Sequence, residues 1–136
     1  MFICDVSDEY LPRRGTLNSA GYDFFATEDI IIKPGEWTNV DTHVRLAPNS
    51  MSNSQVMLIF PRSSTGFKYG LRLRNTSGVI DADYTDNIHA MLTADEEITI
   101  KKGDKYMQGV IVYFGILPGE IPPIAKRVGG IGSTGN

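Results

Sequence analysis

An all-β fold, a barrel or jelly roll, is what this sequence predicts. Short runs of β-branched and aromatic residues recur along the chain, and turn chemistry separates them. A single segment reads as helical. The first runs are FICDV at 2–6, YDFFA at 22–26 and IIIK at 30–33, each too short for a helix and rich in residues that favour a pleated surface. VRL at 44–46 and QVMLIF at 55–60 follow, then IHAML at 88–92, ITI at 98–100 and the longest run, MQGVIVYF, at 107–114. KPGE, APNS, SGVID, KKGD and LPGE supply the turns. The helical exception is SSTGFKY at 63–69, which follows Pro61 and opens on hydroxyls able to cap its first turn. From Pro118 the chain is rich in proline and glycine and poor in core-forming residues. We therefore expect a β-domain over 1–117 and an arm over 118–136, with Ile121, Pro122, Pro123 and Ile124 packing on a neighbouring subunit.

Composition narrows the function. At 136 residues and 41% hydrophobic content the chain forms one domain with an ordinary core. A net charge of −3 leaves no basic face for a nucleic acid polymer. No run is long enough to span a membrane, and the N-terminal MFICDVSDEY has acids where a secretion signal needs cations. One cysteine, Cys4, allows neither an internal disulfide nor a thiolate metal site, so a cytoplasmic setting is expected. A phosphate-bearing ligand would have to be held by a few placed cations and a divalent metal.

Five segments carry such chemistry. The tail RVGGIGSTGN at 127–136 offers Arg127, a run of glycines and the hydroxyls of Ser133 and Thr134. Backbone N–H groups in such a run form an anion-binding concavity; a disordered Gly/Ser-rich terminus is the competing reading. FPRSSTGFKYG at 60–70 delivers Arg62, Ser63 and Ser64 to a helix start, where free N–H groups favour phosphate; an ordinary capped helix is equally consistent. In RNTSGVIDADY at 74–84, Asn75 can read a base edge, Tyr84 presents a flat face, and Asp81 and Asp83 would share one side of a strand with Ala82 on the other. A solvated hairpin with two surface acids is the plain alternative. Gln108, inside an apolar run, needs a partner in its own sheet or in a ligand. AGYDFF at 20–25 places Asp23 after a glycine, which alone reads as a turn with a surface acid. His43 and His89 have no metal-ligand spacing and read as strand residues, and no G-x-x-x-x-G-K-[ST] loop is present.

Taken in chain order the segments resemble the motifs of the trimeric deoxyuridine triphosphate nucleotidohydrolases, the dUTPases: A-G-x-D, P-R-S, G-V-I-D-x-D-Y, G-D-[RK]-x-x-Q and R-x-G-G-x-G-S-T-G. The likeness spans Ala20 to Gly135. It implies a jelly-roll homotrimer with active sites at subunit interfaces, each C-terminal arm swapped over a neighbour's site, and hydrolysis of dUTP to dUMP and pyrophosphate. By that resemblance Asp81 activates the water that attacks the α-phosphorus, and Tyr84 packs on deoxyribose and excludes a 2′-hydroxyl. Asn75 with Gly78, Val79, Ile80 and the return strand near His89 reads uracil. Arg62, Ser63, Ser64 and Gln108 face the phosphates. Asp23 holds magnesium through water, the metal being carried mainly by the phosphates. Arg127, Gly130, Ile131, Gly132, Ser133 and Thr134 close the site from the arm. The compact chain also resembles phage or prophage members, which act in the host cytoplasm.

Three departures from the family pattern stand out. Ile131 occupies the position of an aromatic that stacks on uracil, a contact worth roughly 1–3 kcal/mol, with Phe67 and Tyr69 as candidate substitutes. Thr85 and Asp86 replace a basic or polar residue and a glycine, and Ser64 replaces a glycine. Two other functions compete. A dCTP deaminase shares the R-S-S motif, but Phe67 and Met91 stand where it needs an arginine and a glutamate. A catalytically weak dUTP-binding regulator would keep the pocket without the turnover.

Overall fold

A computed structural model describes residues 1–125 and Arg127. Its strands are β1 (Phe2–Cys4), β2 (Arg13–Arg14), β3 (Gly21–Phe25), β4 (Ile30–Ile32), β5 (Thr38–Asp41), β6 (Val44–Leu46), β7 (Gln55–Pro61), β8 (Arg72–Leu73), β9 (Gly78–Asp81), β10 (His89–Thr93), β11 (Ile98–Ile100) and β12 (Lys105–Tyr113). A 3₁₀ turn covers Asp8–Tyr10, and the one α-helix among the described residues, α1, covers Ser63–Tyr69. The fold is an all-β jelly roll built from antiparallel pairs. Its largest sheet runs β2-β3-β12-β7-β9; β5-β10-β8 form a second, and β1-β6 and β4-β11 form two-stranded pieces.

Period-two alternation places the core. In β4 and β11 the outer residues of each triplet are buried and the middle one is exposed. Phe24, Ile32, Met57, Leu92 and Met107 are fully enclosed at the centre. Burying five such side chains stabilises the fold by very roughly 1.5–3 kcal/mol each before entropy is counted. Tyr106 joins them, and burial drives its phenol pKa upward.

Several expectations need correction. SGVID is not a turn: Gly78–Asp81 form β9 on the edge of the large sheet, paired with β7. The polar TNVD run, which carries no strong strand signal, forms β5 because β10 offers it a full ladder. The hydroxyls of Ser63 and Ser64 do not cap α1; its N-cap is Arg62, without a side-chain cap bond. The helix stops at Gly70, whose φ of 66° is left-handed and suits a residue without Cβ. His43 lies between β5 and β6 at φ 59°, not on a strand. Residues 113–125 add little to the core: Leu117, Ile121 and Ile124 are exposed.

Candidate active site in two halves

The first half gathers around Asp23. This residue is no surface acid; it sits within β3 and is 8% exposed. Burying a carboxylate is costly unless it is paired, and here both oxygens are. Arg62 Nε lies 3.1 Å from Oδ1 and Lys105 Nζ lies 3.3 Å from Oδ2. Arg62 reaches it because β7 ends at Pro61, opposite Met107 of β12, the strand that also pairs with β3. Arg13 is directly opposite Asp23 on β2, with its guanidinium 4.3 Å from the Phe25 ring centre. Two cations thus pair with one carboxylate, and Arg13 stands nearby on the Phe25 ring. The local excess of positive charge suits phosphate.

Lys105 is the residue that motif reading overlooked. Simple alternation would send it to the same face as Met107, into the core. The β12–β3 register shifts between Lys105 and Met107, so Tyr106 and Met107 both point inward. That bulge turns Lys105 outward beside Asp23, on the face of Gln108. The pattern G-D-[RK] contained the lysine, but nothing in period-two alternation announces a bulge.

Gln108 lies opposite Asp23 and Phe60, half-buried, and its amide donates to the Pro61 carbonyl at 3.3 Å. Its side chain passes over Gly21, where a Cβ would collide with it, which gives the glycine of A-G-x-D a steric reason. Ser63 and Ser64 are exposed in the first turn of α1, beside Arg62.

The second half lies at the far end of β7. Asp81 closes β9 opposite Val56, while Arg62 follows the last residue of β7. Six residue steps separate Val56 from Arg62, about 20 Å at the rise of a strand. Asp81 and Asp83 are exposed while Ala82 packs inward, although the strand ends at Asp81 and Asp83 stands in the following turn. Arg127 bridges them: Nη2 donates to Asp81 Oδ2 at 2.6 Å and Nε to Asp83 Oδ1 at 2.8 Å. Its guanidinium lies 5.6 Å from the centre of the Tyr84 ring. The hydrogen bond it donates to Asp83 is the largest influence raising the pKa of Arg127 above its ordinary value. Tyr84 is buried behind it, and desolvation raises its phenol pKa, so the hydroxyl remains a donor, given to the Asn87 carbonyl at 2.7 Å.

Asn75 is exposed in the loop before β9, next to Thr76 at φ 71°. Gly78 and Ile80 are partly buried, Val79 is largely exposed, and His89 is exposed on β10 opposite Asp41. Of the two aromatics considered as substitutes for an arm ring, Tyr69 packs against the core and Phe67 is 92% exposed. Gly130, Ile131, Gly132, Ser133 and Thr134 lie outside the described residues. Among the described residues no group of three or more His, Cys, Asp or Glu could hold a metal ion, and no helix is long and apolar enough to cross a membrane.

Comparison with known proteins adds the family and the fold. The pattern defining the dUTPase family matches residues 8–135. The deoxyuridine 5′-triphosphate nucleotidohydrolase of Lactococcus lactis is 38% identical over 134 residues, covering 92% of this chain and 87% of that one. The dUTPase structure from Streptococcus mutans superposes with a TM-score of 0.74 at 32% identity, covering 87% of this chain and 98% of the other. The dUTPase of phage phi11 of S. aureus gives a TM-score of 0.71 at 23% identity, over 93% of this chain and 96% of that one; at that identity it speaks to the fold alone.

Proposed function

The chain belongs to the dUTPase family, and from that premise we propose how its residues divide the work of hydrolysing dUTP to dUMP and pyrophosphate. The observation that carries the reading is the division of the site into halves about 20 Å apart along β7. One half is cationic and suits phosphates; the other presents a ring, an amide-bearing loop and a carboxylate, and suits a nucleoside and a nucleophilic water. No single copy brings them together, so the complete site forms where the phosphate half of one subunit meets the nucleoside half of the next. A homotrimer with three such sites is the assembly we propose, the arm of 118–136 closing over them.

Uracil lies against the hairpin of Asn75, Gly78, Val79, Ile80 and His89, and deoxyribose packs on Tyr84. Arg62, Ser63, Ser64 and Gln108 hold the phosphates, with Lys105 added to that set. Asp81 takes a proton from a water as its oxygen bonds to the α-phosphorus. The bond from that phosphorus to the bridging oxygen breaks, and pyrophosphate leaves with its negative charge met by Arg62 and Lys105. For Asp81 to act, Arg127 must release it, and the phosphates are the anions that would draw the guanidinium away. Ser133, Thr134 and the backbone of Gly130, Ile131 and Gly132 complete the closure.

The donor set fits magnesium only through water. Both Asp23 oxygens already face cations, at 3.1 and 3.3 Å, so direct ligation would have to displace one of them. Magnesium held by the phosphates would offset their charge, with Asp23 bonded to its water shell.

The family match favours the hydrolase over the deaminase reading, which also lacks its arginine and glutamate at Phe67 and Met91. The test is pyrophosphate release with dUTP, dCTP, dTTP and UTP offered separately. dUTP alone should turn over. Asp81→Asn should lower kcat on the order of a thousandfold while dUTP still binds. Unchanged turnover would remove Asp81 from its role.

A further inference from the structure

Behind the nucleoside half lies a polar cluster that motif reading did not single out. The loop of residues 82–87 is anchored firmly at its far end, where Ile88 N donates to the Val44 carbonyl at 2.8 Å and Thr42 donates to the Ile88 carbonyl from N at 3.0 Å and from Oγ1 at 2.7 Å. Within the loop the ties are fewer. Tyr84 N donates to the Asp81 carbonyl at 3.1 Å, and Tyr84 Oη donates to the Asn87 carbonyl at 2.7 Å. Asn87 Nδ2 then reaches out of the loop, donating to Asp5 Oδ2 at 3.0 Å and to Asp41 Oδ1 at 3.2 Å. Those two carboxylates are themselves linked through His43, whose N donates to Asp41 Oδ1 at 2.8 Å and whose Nδ1 lies 2.9 Å from Asp5 Oδ1. One amide thus joins three separate parts of the chain: the segment after β1, the corner between β5 and β6, and the loop that carries Tyr84.

We infer that Asn87 is a positioning residue for the discrimination between deoxyribose and ribose: its side-chain amide clamps the Tyr84 loop to Asp5 and Asp41, and its backbone carbonyl fixes the Tyr84 hydroxyl. The inference rests on the reading of Tyr84 as the sugar platform. A ring can exclude a 2′-hydroxyl only if it cannot retreat, because a contact that yields by an ångström costs the wrong substrate little. Tyr84 is held from behind by this chain of bonds, Tyr84 hydroxyl to Asn87 carbonyl and Asn87 amide to two carboxylates on other elements. The loop that the clamp fastens is the one in which Thr85 and Asp86 depart from the family pattern. A loop without the family's glycine is fastened by a side chain reaching into the body of the domain. The Asp5 carboxyl registers the contact: the Asn87 amide is the largest influence on it and holds its pKa below the ordinary value.

The experiment compares kcat/KM for dUTP with kcat/KM for UTP in one preparation of the oligomer, so that any inactive fraction cancels from the ratio. Asn87→Ala removes the clamp and should lower the ratio about 5- to 10-fold, the worth of one or two hydrogen bonds. Asn87→Asp sets a third carboxylate against two and should lower it further. Tyr84→Phe cuts the same chain at its other end and should reproduce the alanine effect. The double variant should fall short of the product of the two single effects. Tyr84→Leu tests the premise: if it leaves the ratio unchanged, the sugar-platform reading fails and this inference with it. If Tyr84→Leu lowers the ratio but neither Asn87 variant does, the role of Asn87 alone is overturned. Independent, multiplying effects of Asn87→Ala and Tyr84→Phe would also overturn it. Should Asn87→Ala not fold, Tyr84→Phe and Asn87→Asp still decide the matter.

Discussion

Two inactive chains should repair each other. Arg62 follows one end of β7 and Asp81 faces its other end from β9, about 20 Å away, so the proposed site would draw the two from different subunits. Consider one variant carrying Arg62→Gln and another carrying Asp81→Asn, each nearly inert as a pure oligomer. In oligomers assembled at random from equal amounts, a site recovers both groups when the Asp81→Asn chain supplies Arg62 and the Arg62→Gln chain supplies Asp81. Each condition is met half the time, so about a quarter of the sites are restored, whatever the number of subunits in the ring. The arm leaves this fraction unchanged, because both variants carry it intact. The assay is co-expression with two different tags, isolation of all oligomers, and pyrophosphate release from dUTP per chain, set against wild type and against the two pure variants. Turnover near a quarter of wild type supports the shared site. Turnover no greater than the mean of the two pure variants would show that Arg62 and Asp81 act within one chain, and the β7 argument would fail.

The bulge in β12 makes a second prediction. Lys105→Met should raise KM for dUTP about 5-fold, a modest figure because the lysine is partly exposed, while affinity for dUMP, which lacks the outer phosphates, should stay within twofold. Lys105→Arg should restore most of the loss, and equal weakening of both nucleotides would refute a phosphate-directed role. Asp5 supplies a third, read by pH. Because its folded pKa lies below the ordinary 3.8, the native state binds fewer protons than the unfolded one near pH 4. The stabilisation is complete above the unfolded value and disappears as pH falls through the folded one. Side-chain carboxyl titration by NMR should therefore find Asp5 low in the wild type and nearer its ordinary value in Asn87→Ala; identical values would mean that the amide does not reach it.

Much of the fold was legible from period and punctuation. The helix at Ser63–Tyr69 has the predicted bounds, and the strong β-branched runs became strands. Weak runs were missed where pairing, not propensity, makes the strand. TNVD and the short Arg72–Leu73 segment are held by β10, a neighbour distant in sequence. The candidate residues were legible by motif, but their arrangement was not. Asp23 read as a surface acid because its partners, Arg62 and Lys105, arrive from strands far along the chain. Lys105 was hidden by a register shift that alternation cannot foresee. Asn87 escaped because an asparagine in a polar loop looks like any turn residue until Asp5 and Asp41 are brought beside it.

The bridge from Arg127 to Asp81 and Asp83 bears on how truncations of the arm are interpreted. Cutting the chain before residue 127 removes whatever the arm gives to the substrate. It also leaves two neighbouring carboxylates without their shared cation, at the place proposed for an anionic nucleotide. A truncated protein would then bind poorly for a reason absent from the intact one, and the deficit would overstate what the arm contributes to closure. A deletion retaining Arg127 separates the two losses.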